Sequence, residues 1–506
     1  MIEDTSGQTS LFRRRTFWLI AAVIVVLFAI GNLPWQLDDY DQAKQAFTSF
    51  QMLNEGRWLY QQTPHQHVAT KPPLVGWISA ALFIVTRSWD LAWRLPSLVA
   101  AVALALLLFR SAESAYGLTA RLIALGAFGL NLLTPRLATL VRTDMLLALV
   151  IFAIGLLIWK KIRDETGWRL RDRFYLFGLL TIAMLIKGPI VYAFLLPGIA
   201  LFQWRGRVGA LRRPDSAARR PYQSAWPGWW PWIASLALFI LWVIGGIVLQ
   251  PGFFDEVVMR EFVARFGETI HRPQPLYFYL PHLLHKFAPW SLLLLAIAFV
   301  DLSSRNWRLR SAFHEMSPEV FWLLCWSLGG LIVMSLIPSK RVDRIFPVIP
   351  PLCLLLAAQI GRVGAPRRLP KAFGTAPRFC LAVALMFAIL FTGGYTISKV
   401  ISGYRHHRDA LATFGRDVCR DAKTHHWRYE AVSAKDESLL PYLQKTRFLE
   451  PAEAIAEWNR GNLDALVVST QKASGLMRDL RNAALSDLKS TTRKEEQEKG
   501  YVLITH

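Results

Sequence analysis

Residues Leu37 to Trp77 read LDDYDQAKQAFTSFQMLNEGRWLYQQTPHQHVATKPPLVGW. They lie between an apolar run long enough to cross a bilayer, Phe17 to Leu33, and a shorter one, Leu74 to Val85. Three carboxylates (Asp38, Asp39, Asp41) stand at the head of the stretch, two histidines (His65, His67) in its middle and Lys71 near its end. Membrane-end anchors are mostly Trp, Tyr, Lys and Arg, so clustered aspartates beside a span point to chemistry rather than to anchoring.

The rest of the chain supplies the context. Of its 506 residues 53% are hydrophobic, with 20 Trp and 30 Phe. A soluble protein of this length would divide into domains with polar surfaces, whereas here apolar runs of about 20 residues, the length of a membrane-crossing helix, recur from end to end. The formal net charge is +22. It falls in short loops between apolar runs and not on one soluble face, so it reports topology and argues against a nucleic-acid partner. Cys325, Cys353, Cys380 and Cys419 are spaced too widely for a zinc site or a disulfide framework. Arg13 to Arg15 and the apolar run after them resemble a signal peptide, but the run is long and ends in Pro34-Trp35 without a small-residue cleavage pattern. An uncleaved first span is expected.

Loops rich in Lys and Arg face the cytoplasm. These are Arg13 to Arg15, Lys160 to Arg173, Arg205 to Arg220, Arg305 to Arg310 and Arg362 to Arg378. Between them the candidate spans are 17–34, 92–110, 119–136, 145–160, 174–187, 189–204, 229–249, 279–300, 318–337, 345–361 and 379–400. The run 74–85 makes roughly 18 Å of helix against a hydrocarbon core of about 30 Å. Counting it as a crossing would put every later basic loop outside, so it is expected to be an interfacial or re-entrant helix of the first external loop. The expected fold is a polytopic all-α membrane protein of about 11 spans, residues 1–402 with external loop 35–91. A small soluble α/β domain, 403–506, follows on the outer side, with a helix at 409–423, strands at 428–433, 465–469 and 501–505, and further helical stretches at 451–460 and 474–485.

Asp41, at the head of a helix ended by Asn54-Glu55-Gly56, and Asp144, in RTDML between two spans, are ionisable groups at a membrane edge and thus functional candidates. Asp144 also suits an N-cap, and Asp38 and Asp39 suit a solvated loop and helix-entry charge. Lys71, Lys187, Arg265, Lys340, Arg341 and Arg344 map to the outer side against the positive-inside trend. Such cations suit an anion such as phosphate, or snorkel to lipid headgroups. His65 and His67 are a possible metal pair without a spaced third ligand, and loop histidines at a surface read the same way. No nucleotide fingerprint is present, so an activated substrate has to arrive already made.

The motifs DQAKQAF, QMLNEGRWL, TKPPLVGW and WRLPS, then RTDMLLAL, LIKGPI and SKRVDRIFPVIPPL, resemble those of GT-C type membrane glycosyltransferases. They are most similar to the bacterial polyprenyl-phosphate-sugar enzymes, aminoarabinose transferases of lipid A and protein mannosyltransferases, over roughly the first 400 residues. The resemblance implies transfer of a sugar from a polyprenyl (undecaprenyl) phosphate donor to an envelope glycolipid, glycan or protein on the periplasmic face of the bacterial inner membrane. It places the catalytic Asp on Asp41, the second acid on Asp144 and the donor-phosphate contacts on Lys71, Lys187, Arg265, Lys340 and Arg344. Gln42 stands where the family usually has Glu, and Thr70 where some members have Glu. Asp144 would orient the acceptor or share a divalent metal with Asp41; no organic cofactor is implied. The implied step is an inverting displacement with Asp41 as general base and cations stabilising the departing phosphate. The competing classes are a transporter or flippase of an anionic lipid-linked sugar, which would favour internal repeats and mid-membrane charges, and a non-catalytic envelope scaffold.

Overall fold

The computed structural model describes residues 5–212, 221–263, 273–304, 306–307, 313, 315–363, 377–434, 436–490 and 500–506. In chain order its helices begin with α1 (Thr5–Ile30), α2 (Tyr40–Glu55), α3 (Leu74–Thr86), α4 (Trp89–Gly129) and α5 (Thr134–Ala138). Next come α6 (Asp144–Arg163), α7 (Leu170–Lys187), α8 (Ile190–Arg212) and α9 (Trp230–Leu249). A π-helix (Phe254–Val263) and a 3-10 turn (Leu276–Phe278) precede α10 (Tyr279–Lys286), α11 (Trp290–Ser304) and α12 (Pro318–Leu336). A second 3-10 segment (Val342–Val348) leads into α13 (Ile349–Val363) and α14 (Pro377–Arg405). The chain forms two compact units.

In the first unit, residues 1–31, 96–245 and 258–398, the described residues are mainly helical. Among the described residues six segments are long and apolar enough to cross a bilayer, in α4, α6, α9, α12, Val342–Gly361 and Ala382–Arg405. A seventh arises if α10 and α11, bent by 104° at their junction, count as one. The window in α6 is 72% buried and that in α9 only 22%, so α6 is an inner helix and α9 presents its apolar side chains outward. Two expected spans, 92–110 and 119–136, fall largely on the 41-residue α4, whose backbone leaves helical geometry at Gly117 (φ 88°, ψ −173°). The region 279–300 is not one straight helix, since the chain turns sharply between Lys286 and Trp290. Small residues let helices touch. A Cβ on Gly329 would lie 2.4 Å from the Gly198 nitrogen, so α8 and α12 meet backbone to backbone.

The second unit comprises 32–95, 246–257 and 399–506. Its sheet, β1 (Tyr429–Ala431), β2 (Ala465–Ser469), β3 (Ala484–Lys489) and β4 (Tyr501–Thr505), runs β1-β2-β4-β3, with β1 parallel to β2 and the other pairs antiparallel. Both faces of β2 are covered. Ala465 and Val467 enter one core with Phe414, Val418 and Leu440, while Leu466 and Val468 enter another with Trp458 and Ile504. That two-sided burial is why the sequence reads as a plain apolar run. α15 (Ala410–His425), α16 (Leu439–Tyr442), α17 (Pro451–Asn459) and α18 (Thr470–Met477) complete the region. The helix expected at 474–485 ends at Met477, and Ala484–Lys489 is a strand instead; this edge segment is largely exposed and includes Ser486 and Asp487, so it lacks the apolar signal of its neighbours. Phe47 of α2 is fully buried in the first of the two sheet cores, beside Phe414, Leu439 and Leu443.

Candidate functional site

The first group of candidate residues lies in the second unit. Asp39 is the N-cap of α2, with its Oδ1 accepting the Gln42 N–H at 3.0 Å, which satisfies one of the helix's unpaired amides. Asp38 forms an ion pair with Arg408. Asp41 occupies the first turn of α2, half-buried, where the positive end of the helix dipole favours a carboxylate. The three neighbouring acids are thus in three different settings. Gly56 ends α2 in the left-handed region (φ 68°), as the Asn-Glu-Gly signal predicts.

Lys71 precedes Pro72-Pro73, and Pro73 is the N-cap of the 13-residue α3. A Cβ on Gly76 would meet the Met52 Cε at 2.5 Å, so this glycine lets α3 close onto α2. His65 stacks on Phe448 with ring centroids 5.3 Å apart. Burial and the charge of His67 lower its pKa, with Glu450 opposing. His67 Nδ1 lies 3.1 Å from Glu256 Oε1. Among the described residues no three His, Cys, Asp or Glu side chains gather as a metal-binding cluster.

The second group lies in the first unit. Asp144 opens α6 and Lys187 closes α7; their Oδ1 and Nζ atoms are 2.5 Å apart. Each charge sits at the helix end whose dipole favours it, and Asp144 is only 5% exposed. Gly188 makes the turn at φ 73°, ψ −157°, a conformation only glycine adopts readily. Lys340 donates to the Gln274 carbonyl at 2.8 Å, and Arg344 to the Ser339 carbonyl at 2.8 Å. Both residues lie within 338–344, and the Lys340 bond ties that segment to Gln274. Arg265 lies outside the described residues.

Two residues escaped the sequence reading. Arg142 Nη1 lies 2.5 Å from Asp343 Oδ2, with both side chains buried, and Arg136 stands 3.9 Å from the other carboxylate oxygen. This pair ties the turn before Asp144 to the turn that holds Lys340 and Arg344. The local signals were present, Arg142 in RTDML and Asp343 in KRVDR, but 201 positions separate the partners.

The chain is 25% identical over 348 residues to an undecaprenyl phosphate-alpha-4-amino-4-deoxy-L-arabinose arabinosyl transferase of Shewanella sediminis, covering 67% of this chain and 59% of that protein. It is 26% identical over 393 residues to undecaprenyl phosphate-alpha-4-amino-4-deoxy-L-arabinose arabinosyl transferase 1 of Sodalis glossinidius, covering 73% and 64%. The matches thus span about three fifths of the length of these curated relatives. No family model matches the chain. The crystal structure of ArnT from Cupriavidus metallidurans bound to undecaprenyl phosphate has a TM-score of 0.68 to this chain at 16% identity, over 96% of this chain and 97% of that one. Its apo form gives 0.66. The resemblance to GT-C type aminoarabinose transferases read from the motifs is therefore met in sequence, and the fold is the ArnT fold.

Proposed function

We propose that this protein is an inverting membrane glycosyltransferase, taking its sugar from a polyprenyl phosphate and passing it to a hydroxyl of an envelope acceptor on the periplasmic face. The observation that carries it is two ion pairs at the ends of otherwise apolar helices, the buried Arg142–Asp343 and Asp144–Lys187, in which Asp144 is buried and Lys187 partly so. Ionised groups withdrawn from water at a membrane edge are costly and mark charge chemistry. The relatives' names supply the donor class, an undecaprenyl phosphate sugar, and 4-amino-4-deoxy-arabinose as its sugar. A glycolipid such as lipid A is the acceptor we favour. The expected arrangement of about eleven spans, with the N-terminus in the cytoplasm and 403–506 on the outer side with loop 35–91, belongs to the same proposal.

In the step, Asp41 takes the proton of the acceptor hydroxyl as its oxygen attacks the anomeric carbon. The bond to the phosphate oxygen breaks on the opposite face, and the polyprenyl phosphate leaves with the electron pair. Lys71, Lys187, Arg265, Lys340 and Arg344 are assigned to the growing charge on that oxygen. Asp144 holds the Lys187 ammonium in place. His65 and His67, engaged by Phe448 and Glu256, do not make a convincing cation site, and no step is routed through a metal.

The test is sugar transfer from a polyprenyl-phosphate sugar to extracted envelope acceptors by the purified protein. Losing a positioned general base costs about 10²- to 10⁴-fold, so Asp41→Asn should fall into that range while Asp38→Asn and Asp39→Asn stay near wild type. Wild-type turnover in Asp41→Asn overturns the assignment of the base.

A further inference from the structure

We propose that a cleft in the second unit, separate from Asp41, binds the saccharide headgroup of a glycan acceptor. The cleft has a volume of about 570 Å³, within the range of sites that enclose a small ligand. Four segments that are distant in sequence converge on it: the end of α2, the α3–α4 corner, α15 and α16.

Its floor is aromatic and its rim polar. Phe50, Trp93 and Tyr442 are buried beneath it. Along one wall Phe83 stacks on Trp89 at 3.9 Å, and Trp89 on Trp93 at 5.3 Å. The rim carries Asn54, Arg87, Gln444 and Arg416, all exposed. Asp90 is held at 2.5 Å by Arg416 and at 3.2 Å by Arg94, so its carboxylate is fixed at the cleft edge. A pyranose ring needs both parts: aromatic surface against its C–H face and planar amide, guanidinium and carboxylate groups that bond to its hydroxyls. A lone phosphate would use the arginines and leave the rings and amides unused. A lipid tail would desolvate the arginines.

A second feature points the same way. Arg87 and Gln444 sit at φ 53° and 55°, the left-handed region that glycine occupies at helix ends without strain. Arg87 closes α3, its N–H donating to the Phe83 carbonyl at 2.8 Å. At both turns the chain carries a long polar side chain where glycine would be easier, and both side chains line the cleft. Among the described residues neither the Arg87 guanidinium nor the Gln444 amide has a side-chain partner in the protein.

Calling the ligand the acceptor's headgroup rests on the proposed transferase function; saccharide binding itself does not. The test is ligand-observed NMR on the full chain in neutral-lipid nanodiscs, with proton saturation transfer for a glucosamine disaccharide and, separately, phosphorus-31 line broadening for inorganic phosphate. We expect saturation to pass to the sugar ring protons, both in wild type and in Asp41→Asn. In Arg87→Gly/Gln444→Gly the signal should fall at least fivefold while heat stability is kept or raised, because glycine relieves both turns. In transfer assays that variant should raise KM for the acceptor and leave kcat within twofold. No saturation transfer in wild type, undiminished transfer in the double glycine variant, or binding of phosphate without sugar each overturns the proposal. Sugar binding to a chain with no transferase activity would keep the site and remove only the acceptor's name.

Discussion

Glu437 offers a prediction whose size and sign both follow from the structure. It precedes α16, is 6% exposed, and among the described residues its Oε2 has no hydrogen-bond partner. Burial pushes its carboxyl up to about 7, against an ordinary 4.5, with Lys44 of α2 pulling the other way. The folded protein therefore holds this proton longer than the unfolded chain does. Below about pH 4.5 both states are protonated and the group costs nothing. As the pH rises from about 4.5 to about 7 the unfolded chain ionises while the folded one keeps its proton, so stability falls, and the loss levels off once the folded carboxyl ionises too. A difference of roughly 2.5 units at 1.36 kcal/mol each gives about 3 kcal/mol of stability present in acid and lost by pH 8. Glu437→Gln keeps the shape and removes the titration. It should match wild type at pH 4.5 and exceed it by about 3 kcal/mol at pH 8, read by pulse proteolysis of the full chain across that range. A variant advantage independent of pH, or larger in acid, refutes the reasoning; a wild type that gains stability from pH 5 to 8 through this residue does so as well.

Lys187→Met removes the ammonium 2.5 Å from the buried Asp144 carboxylate and should destabilise by about 3–5 kcal/mol; adding Asp144→Asn should recover most of that loss, and a double-mutant cycle on thermal unfolding measures the coupling. Gly329→Ala drives a methyl to 2.4 Å from the Gly198 nitrogen, so α8 and α12 must separate, at about 1–3 kcal/mol. Unfolding of the purified chain in detergent should show that loss, and an unchanged midpoint would mean the two helices give way freely.

Local chemistry made much of the fold legible. α2 was readable from Asp41 at its head and the Asn54-Glu55-Gly56 stop, though the cap itself is Asp39, and α3 from a short apolar run after two prolines. β1, β2 and β4 stood out as short apolar runs in a polar region, while β3, an exposed edge, did not. The Lys187-Gly188 turn was readable too, since only glycine suits that backbone. What the sequence could not carry were pairings across long separations. Nothing local ties Arg142 to Asp343 or Tyr442 to Leu37, and Phe47 looks like any apolar residue of an amphipathic helix until the sheet core appears around it. Of the candidate site, the charged residues could be nominated one at a time. Which of them are neutralised by a partner depends on packing, as with Lys187 by Asp144 and Asp38 by Arg408.

The hydrogen bond from the Leu37 amide to the Tyr442 hydroxyl, 2.7 Å long, joins positions 405 residues apart. At a synthesis rate of about 5–20 residues per second, the ribosome needs roughly 20–80 seconds to make the second partner after the first. During that interval the segment bearing Asp41 has been made, yet the tyrosine that fastens its leading end and the leucines that close around Phe47 do not exist. Chains released before residue 442 would lack both the tyrosine bonded to Leu37 and part of the core around Phe47, so the acid-bearing loop is fastened only late in synthesis.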